Sequence, residues 1–393
     1  MIGIKDRVAV VGMGCTKFGE LWDKESLDLA VDAAYEAYED AGVEPKDIQA
    51  VWLAHAYEGL TGTRLARALK LDYVPVTHVE NLCCSGTDAF RNACLAVASG
   101  VYDMVMAVGM EKLKDNGQAG QRSGIDPEVT SRTKFVDPAP PNFAFLATRY
   151  FHHYGLSYEE GKKILAKIAV KNHHNGALNP KAMLQKEITL EEVVNASIVA
   201  YPLGLYDCCG ISDGGAAAII TTPEIAKKLR KDYITVKALS VVCGAMQGTL
   251  QSDYDFVHIE ETIRASRMAY QELGIKDPRR EIHMAEVHDC FTITELLIYE
   301  DLGFSPRGKG PEDVLKGTFE LNGELPVNTD GGLNTFGHPI GASGLRMIYE
   351  VYKQLQGKAG PRQLKRMDTG LVHNLGGAPP GSQTVTITIL GRP

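Results

Sequence analysis

Several features that would direct this sequence to a membrane, a secretory pathway or a nucleic acid are missing. No segment reaches about 18 uninterrupted apolar residues, which is the length that a bilayer span requires. The opening stretch lacks a basic region followed by a long apolar run, and the last residues are not a peroxisomal tripeptide. The formal net charge is -8 at pH 7, whereas duplex binding needs a basic face. We therefore expect a cytoplasmic protein with no membrane or nucleic-acid partner.

The cysteine spacing also lacks the patterns of disulfide frameworks and zinc knuckles. The chain has eight cysteines, and four of them form the neighbouring pairs Cys83-Cys84 and Cys208-Cys209. Adjacent residues are poorly placed for a disulfide framework, and no CxxC ligand pairing is present. We expect reduced thiols in a reducing compartment and no metal site.

Nucleotide-binding motifs are lacking as well. There is no Walker A pattern, and the glycines of "VAVVGMGCTKFG" do not complete a dinucleotide-binding fingerprint, because Lys17 stands where the third glycine belongs. For Gly12 and Gly14 we predict a tight turn between a strand and a loop.

What the sequence does have is one arrangement used twice. The helix-patterned stretches "SLDLAVDAAYEAYEDAG" and "HIEETIRASRMAYQELG" end at Gly42 and Gly274, and each precedes a short strand, "IQAVWLAH" and "IHMAEVHD". Later in each half, "CSGTDAFRNACLAVASG" and "ASGLRMIYEVYKQLQG" place Ser-Gly at the start of a helix that a strand follows. This pattern predicts an α/β protein of two duplicated units, with sheets packed back to back on shared helices.

The predicted domain boundaries follow from that repeat. Residues 1–115 and 202–231 form the amino-terminal unit, and residues 232–393 form the carboxy-terminal unit. The polar segment between them, residues 116–201, contains "DPAPPNF" and two His-His pairs. We interpret it as a loop domain inserted into the first unit.

Candidate chemistry lies at the starts of the repeated helices. A thiol of Cys83 or Cys84 would lie in the positive field of a helix amino terminus, which lowers a thiol pKa and offers amides to an oxyanion. His338 occupies a glycine-flanked turn before the equivalent helix of the second half. If the halves are related by an approximate two-fold axis, a thiol and an imidazole would share one cleft as nucleophile and base.

Two further motifs end strands of the second half. In "EVHDCF", His288 and Cys290 would point to the same side of a strand and supply an N–H donor and a second thiol. Zinc is the competing account of two cysteines and two histidines, and we discount it on spacing. Backbone N–H groups of "HNLGGAPPG" would point into the same cleft.

Taken in order, "LCCSG", "EVHDCF", "NTDGGLNTFGHPIGASG" and "HNLGG" resemble motifs of the thiolase superfamily, in particular the sterol-carrier-protein-2 type and the archaeal acetyl-CoA acyltransferases. The resemblance covers nearly the whole chain and is weakest in the insert. It implies a five-layered α-β-α-β-α core whose loop domain covers coenzyme A. It also implies a homodimer, a small zinc-ribbon/OB-fold partner subunit, and CoA as substrate with no permanently bound cofactor.

The resemblance also assigns roles. The family nucleophile stands in a Cys-x-Ser/Thr-Gly pattern, which selects Cys83, and His338 matches the base that activates it. His288 matches the residue that binds the thioester oxygen, and Cys290 matches the acid/base.

Near the carboxyl terminus, the resemblance places Gly376 with Cys83 as backbone N–H donors of a second oxyanion hole. His373 is a candidate substrate contact.

The function that the resemblance implies is CoA-dependent cleavage of a 3-oxoacyl-CoA, or the reverse Claisen condensation, through an acyl-cysteine intermediate. The aromatic insert around "PPNFAFLATRYFHHYG" favours a bulky or aromatic acyl group, as in 2-benzoylsuccinyl-CoA. The alternatives are a biosynthetic acetoacetyl-CoA thiolase, another condensing enzyme, and a non-catalytic thiolase-like acyl-CoA or lipid-binding protein. The presence of Cys290 argues against another condensing enzyme, because those enzymes lack a second acid/base cysteine.

Overall fold

The structure is a computed structural model that describes residues 3–114, 139–250, 253–379 and 381–393. Its strands are β1 Ala9–Cys15, β2 Val51–Ala54, β3 Val76–Val79, β4 Met104–Glu111, β5 Ile198–Ala200, β6 Leu203–Gly204, β7 Gly214–Thr221, β8 Ile234–Cys243, β9 Met284–Val287, β10 Thr369–Ala378 and β11 Ser382–Gly391.

The helices alternate with these strands. They are α1 Ser26–Ala41, α2 Gly62–Ala68, α3 Ser85–Ala98, α4 Ala139–His153, α5 Tyr158–Ala177, α6 Leu190–Val194, α7 Pro223–Leu229, α8 Gln247–Leu250, α9 Glu260–Leu273, α10 Pro278–Glu281, α11 Thr292–Asp301, α12 Gly310–Lys316, α13 Gly332–Phe336 and α14 Ile340–Gln356. Short 3-10 turns occupy Pro45–Asp47, Leu205–Asp207 and Gly360–Arg362. None of the helices among these described residues is long and apolar enough to cross a membrane.

The main sheet repeats one strand order. Its nine strands run β3-β2-β4-β7-β1-β8-β11-β10-β9. From the centre outward, β1, β7, β4 and β2 correspond to β8, β11, β10 and β9, and β3 extends the first half alone. The halves are joined where β1 pairs antiparallel with β8, through Ala9 with Thr235 and Val10 with Ile234. The half-sheets are therefore joined along this seam, a link that the predicted back-to-back packing did not include.

Five layers result from the way the helices cover this sheet. Helices α3 and α14 pack on each other and contact both half-sheets, so they form the middle layer. Helix α1 covers the outer face of β1, β7 and β4, and α9 covers β8 and β11. The α/β fold and the five-layered order that the sequence predicts are both confirmed.

Glycines set how closely the two central helices approach each other. A Cβ on Gly86 of α3 would lie 2.7 Å from the carbonyl oxygen of Gly341, and one on Gly344 of α14 would lie 2.6 Å from the Thr87 nitrogen. Real Cβ atoms are not found this close to backbone atoms. The repeated Ser-Gly pairs thus allow the amino-terminal turns of α3 and α14 to meet.

Gly12 and Gly14 have a different role from the predicted turn. Both lie inside β1, and a Cβ would lie 2.4 Å from the Ala37 oxygen or 2.0 Å from the Ala33 oxygen. The prediction of a turn is wrong, because these glycines instead let α1 lie directly on the strand.

The insert is partly described. Its residues 116–138 lie outside the described residues, and the rest comprises α4, α5, α6 and β5, which pairs with β6 just past residue 201. Helix α5 packs on α11 and α13 of the second half, which brings the insert to the edge of the candidate site.

Candidate active site

Cys83 lies in a constrained turn ahead of α3. Leu82 has a φ of 50°, in the left-handed region that side chains other than glycine rarely adopt. The Ser85 hydroxyl holds this turn, because it donates to the Leu82 oxygen at 2.5 Å and accepts from the Asn81 N–H at 2.8 Å. Such backbone strain is found at functional sites and costs about 1–3 kcal/mol. Cys84 caps the helix and is fully buried, whereas Cys83 is partly exposed.

His338 is held by the start of α14. Its Nδ1 lies 2.6 Å from the Ser343 hydroxyl, and that hydroxyl donates to the Pro339 oxygen at 2.8 Å. Since the only hydroxyl proton is engaged with Pro339, the Nδ1–H of His338 must be the donor to Ser343. The lone pair of the neutral ring is therefore on Nε2, which is the protonation state of a general base.

His288 is oriented by Asn374, a residue of β10. The His288 Nδ1 lies 2.9 Å from the Asn374 side-chain oxygen, which also accepts from the Leu375 N–H at 2.9 Å. The amide nitrogen of Asn374 donates to the Cys83 carbonyl oxygen at 3.0 Å. These partners fix the amide orientation, so His288 donates from Nδ1 and carries its lone pair on Nε2.

Three of the predicted residues meet. The Cys83 sulfur and one ring nitrogen each of His288 and His338 all lie within 4.8 Å of one another. The two rings stand edge to face, with centroids 5.2 Å apart. The structure thus places a nucleophile beside two imidazole nitrogens that can accept a proton.

Cys290 lies close to this trio but is not one of the three. Its sulfur is 3.8 Å from the Thr294 hydroxyl, and its carbonyl oxygen accepts the Cys209 N–H at 2.9 Å. Burial raises the pKa of Cys290 well above its ordinary value, and the nearby sulfurs of Cys209 and Cys83 add to this. Cys290 is therefore a protonated thiol at neutral pH, as a proton donor must be.

The expected lowering of the Cys83 pKa by the helix amino terminus is wrong. Burial raises the pKa of Cys83 to about 12, and the Glu111 carboxyl group adds to the shift. Desolvation disfavours the thiolate more than the helix field stabilises it. Cys83 is consequently a thiol at rest and needs a base at the moment of attack.

Both histidines are held neutral. Burial lowers the pKa of His288 to about 3, the hydrogen bond that His288 donates to Asn374 opposes this shift, and Arg346 adds to it. For His338, burial shifts the pKa well below its ordinary value, and His288 and Arg346 contribute. Arg346 is fully buried and forms ion pairs with Glu286, at 3.0 Å, and with Asp330.

Asp289 fixes the chain that carries His338. Its carboxylate accepts the N–H groups of Leu333, at 2.6 Å, and Asn334, at 3.2 Å, at the start of α13. Asn172 of the insert donates to the same carboxylate at 2.9 Å. Burial raises the pKa of Asp289 to about 8, and Glu295 adds to the shift. The insert is thus bonded directly to the HDCF motif.

The remaining predicted residues lie on β10. A Cβ on Gly376 would lie 2.0 Å from the Asn81 oxygen and 2.9 Å from the Cys84 nitrogen, so glycine is needed for the strand to pass the nucleophile turn. His373 is fully buried, with Nε2 2.9 Å from the Thr262 hydroxyl of α9. Their assigned roles, an oxyanion donor and a substrate contact, stay predictions.

Three residues of the site have no assigned role in the sequence reasoning. Asn374 joins both halves of the site, and its one signal is a polar residue inside "HNLGG". Cys209 belongs to the second Cys-Cys pair and precedes Gly210, whose oxygen accepts the His338 N–H at 3.0 Å. Glu111 accepts the N–H groups of Ala56, Tyr57 and Gly341, contacts that no local pattern reveals.

Comparisons with known proteins find relatives over nearly the whole chain. The family model described as thiolase, N-terminal domain matches residues 8–224, and the model described as thiolase C-terminal domain-like matches residues 244–392. An acetyl-CoA acetyltransferase of Methanothermobacter thermautotrophicus is 37% identical over 94% of this chain and 96% of its own. Human sterol carrier protein 2 is 32% identical over 98% of this chain and 72% of its own.

Solved structures show the same fold. The Ltp2-ChsH2(DUF35) aldolase superposes with a TM-score of 0.85 at 25% identity, covering 100% of this chain and 99% of the other. An acetyl-CoA acetyltransferase from Syntrophomonas wolfei superposes with a TM-score of 0.71 at 19% identity, covering 99% of both chains. The fold and the site define an enzyme of the acyltransferase class. The chain belongs to the thiolase family.

Proposed function

We propose that this enzyme cleaves a 3-oxoacyl-CoA with free CoA, or runs the reverse Claisen condensation, through an acyl thioester on Cys83. The observation that carries the proposal is the approach of the Cys83 sulfur and the His288 and His338 nitrogens to within 4.8 Å. A neutral thiol beside a neutral imidazole with its lone pair on Nε2 supports attack coupled to proton transfer. CoA enters as a substrate, and the proposed chemistry needs no permanently bound cofactor.

The first half-reaction balances with these groups. The Cys83 proton passes to Nε2 of His338 as the sulfur attacks the 3-oxo carbon, and the bond between carbons 2 and 3 then breaks. The leaving enolate accepts a hydrogen bond from protonated His338, and Cys290 delivers its proton to carbon 2. Each preorganised hydrogen bond of this kind lowers the barrier by about 3 kcal/mol.

We also assign His288 to the thioester oxygen. Because its Nδ1–H is engaged with Asn374, this role requires a second proton on Nε2, which the developing enolate charge would hold. His288 would take up that proton from solvent as the substrate binds and return it to solvent when the product leaves.

The second half-reaction restores the site. The Cys290 thiolate takes the proton of the CoA thiol, and the CoA sulfur attacks the acyl group on Cys83. The backbone N–H groups of Cys83 and Gly376 are the proposed donors to the tetrahedral oxyanion. Cys83 leaves as a thiolate and recovers its proton from His338.

A bulky or aromatic acyl group is the substrate class that we favour, with 2-benzoylsuccinyl-CoA as one example. The support is that the insert reaches the HDCF motif with an aromatic side chain. Phe143 of α4 stacks on Phe291, the residue after Cys290, with ring centroids 4.5 Å apart. A biosynthetic acetoacetyl-CoA thiolase would use the same site with a smaller acyl group.

An aldolase is the alternative that a comparison raises, since the structure with a TM-score of 0.85 carries that description. Retro-aldol cleavage leaves no acyl group on a thiol. The Cys83, His288 and His338 trio supports acyl transfer instead, because an aldolase has no use for a nucleophilic thiol. The same trio argues against a non-catalytic acyl-CoA or lipid-binding protein.

We further propose a cytoplasmic homodimer that works with a small zinc-ribbon/OB-fold subunit. The support for the second subunit is that the Ltp2 relative was solved with ChsH2(DUF35). Light scattering of the purified chain, alone and after coexpression with such a subunit, measures both associations.

Intact-protein mass spectrometry tests the reaction. Brief incubation with acetoacetyl-CoA, and separately with an aromatic 3-oxoacyl-CoA, is expected to add an acyl mass that maps to Cys83. The Cys83→Ser variant should show no thioester adduct, whereas the matched Cys84→Ala variant should keep it. Product formation without any adduct in folded protein would contradict acyl transfer through Cys83, whereas cleavage of a 3-hydroxyacyl-CoA to a carbonyl compound and an acyl-CoA would favour the aldolase.

A further inference from the structure

The trio at the active site has the composition and spacing of an incomplete zinc site. Zinc binds thiolate sulfur at about 2.3 Å and imidazole nitrogen at about 2.0–2.1 Å, so the ligand atoms of one tetrahedral ion lie about 3.5 Å apart. The Cys83 sulfur and the two ring nitrogens already lie within 4.8 Å of one another. Small rotations of these side chains would bring all three to coordination distance.

The hydrogen bonds behind the histidines are those that metal ligands use. A metal-bound imidazole usually donates its other N–H to an oxygen atom, which fixes the tautomer and the ring orientation. His288 donates to the Asn374 oxygen at 2.9 Å, and His338 donates to the Ser343 hydroxyl at 2.6 Å. Both rings therefore carry their lone pairs on Nε2 before any ligand arrives.

The surroundings also suit a cation. The buried Glu111 carboxyl group accepts the N–H of Gly341, three residues after His338, so an acidic side chain lies beside the start of α14. Arg346, a buried cation that acts on both histidines, is compensated by its ion pairs with Glu286 and Asp330. Cys83 is partly exposed while both histidines are buried, so an ion reaches the trio from the side of the sulfur.

We propose that the substrate-free enzyme binds one Zn²⁺ ion through Cys83, His288 and His338, with water in the fourth position, and that this ion blocks acylation of Cys83. Binding replaces the thiol proton, which is released to solvent, and no redox step is involved. The inference goes beyond the proposed reaction, because it requires only the arrangement of the ligands and no turnover.

Cobalt absorption tests the site directly. Metal-free, reduced protein titrated with Co²⁺ is expected to develop a near-ultraviolet sulfur-to-cobalt charge-transfer band and the intense visible bands of four-coordinate cobalt, saturating at one ion per chain. Zn²⁺ should displace the cobalt and abolish these bands. Acyl-CoA added first should prevent them, since substrate and ion compete for Cys83.

Matched variants identify the ligands. Cys83→Ser, which keeps the size of the side chain, and His288→Ala should each lose the bands, whereas Cys84→Ala and Cys243→Ala should keep them. Asn374→Ala should weaken cobalt binding by about 10-fold to 100-fold, the usual effect of removing a partner of a ligating histidine. Circular dichroism of each variant separates loss of a ligand from loss of the fold.

Two results would overturn the zinc site: no cobalt bands in the folded unsubstituted protein, or bands that survive Cys83→Ser. Neither depends on the proposed reaction, which is measured as the acyl adduct in metal-free buffer with a chelator present. An adduct without cobalt bands would reject only the metal site, and cobalt bands without an adduct would reject only the reaction.

Discussion

The two halves of the molecule share a framework and differ in what they place at the start of their central helix. The order β2-β4-β7-β1 in one half matches β9-β10-β11-β8 in the other. At the equivalent turns, the first half presents the Cys83 thiol before α3 and the second presents His338 before α14. The repeat thus provides two equivalent positions, to which we assign opposite roles in proton transfer.

The halves also differ in the charge behind each position. In the first, Glu111 opposes ionisation of Cys83, and in the second, Arg346 opposes protonation of His288 and His338. Both environments keep the catalytic group uncharged before substrate binds. In the reaction that we propose, charge would therefore develop only after the substrate binds.

The largest loss of activity is expected when His338, the proposed base of the second half, is replaced. His338→Gln keeps the size of the side chain but cannot accept the Cys83 proton, so we expect kcat to fall by about a thousandfold or more. The double variant Cys83→Ser with His338→Gln should have nearly the same kcat as Cys83→Ser alone, because the thiol and the imidazole act as a unit. A loss below tenfold for His338→Gln would assign the proton transfer to another group.

Cys290 tests whether the second half supplies an acid as well as a base. Cys290→Ala removes the thiol that we propose protonates the enolate, and we expect about a hundredfold loss of kcat in thiolysis. Steady-state rates with a 3-oxoacyl-CoA measure this, and Cys208→Ala is the neighbouring control. Unchanged rates in Cys290→Ala would favour a condensing enzyme that does not use a second cysteine.

Substitution of Asn374 tests the hydrogen bonds that link His288 to the Cys83 turn. We expect Asn374→Ala to lower kcat by about 10-fold to 100-fold, because His288 loses the oxygen that fixes its tautomer. Asn374→Asp keeps that oxygen but adds a negative charge, which raises the His288 pKa. Because the proposed role of His288 needs a proton on Nε2, the loss of activity at rising pH should move to higher pH. Identical pH profiles for the two variants would show that Asn374 has only a structural role.

The pH dependence of Cys83 alkylation tests whether the first half opposes ionisation of this thiol. Because the thiol pKa is raised to about 12, the thiolate fraction should grow about tenfold for each pH unit between pH 7 and 10. The iodoacetamide rate at Cys83, followed by peptide mass spectrometry, should rise without a plateau over this range. A plateau near neutral pH would instead indicate that the helix amino terminus lowers the Cys83 pKa, as the sequence suggests.

The smallest expected effect is a loss of stability on replacing the glycines where α3 and α14 meet. A Cβ on Gly344 would lie 2.4 Å from the Asn374 amide nitrogen as well as 2.6 Å from the Thr87 nitrogen, whereas one on Gly86 meets the Gly341 oxygen at 2.7 Å. We expect each alanine variant to lose about 1–3 kcal/mol of unfolding free energy, with the larger loss for Gly344→Ala.

Denaturant unfolding measures these losses, and Gly59→Ala, whose Cβ would meet nothing within 4 Å, is the control. Equal stability of all three variants would contradict the close packing of α3 on α14.

Local patterns in the sequence predict much of the framework. Helices α1 and α9 end at Gly42 and Gly274 as their spacing indicates, because a left-handed residue after an amphipathic run is a local signal. The β1-β8 seam has no such signal, since it depends on how the two halves meet. Strands β2 and β9 are each four residues long, shorter than their apolar patterns suggest.

The sequence likewise predicts some features of the candidate site and not others. The motifs around Cys83, His288 and His338 are visible in the sequence, and duplication suggests that two of them meet. The link through Asn374 joins residues from opposite halves, so no window of sequence contains it. The Cys83 pKa likewise depends on burial by distant segments, which is why reasoning from the helix terminus alone fails.

The shared middle layer has a consequence for how such a chain arose. Helices α3 and α14 cover each other and both half-sheets, so one half alone would expose the apolar face that its counterpart now covers. An ancestor with a single unit would have needed a second copy of itself to become a stable protein. Joining two such copies in one polypeptide would allow the two helix starts to differ, which a symmetric pair of identical chains does not allow.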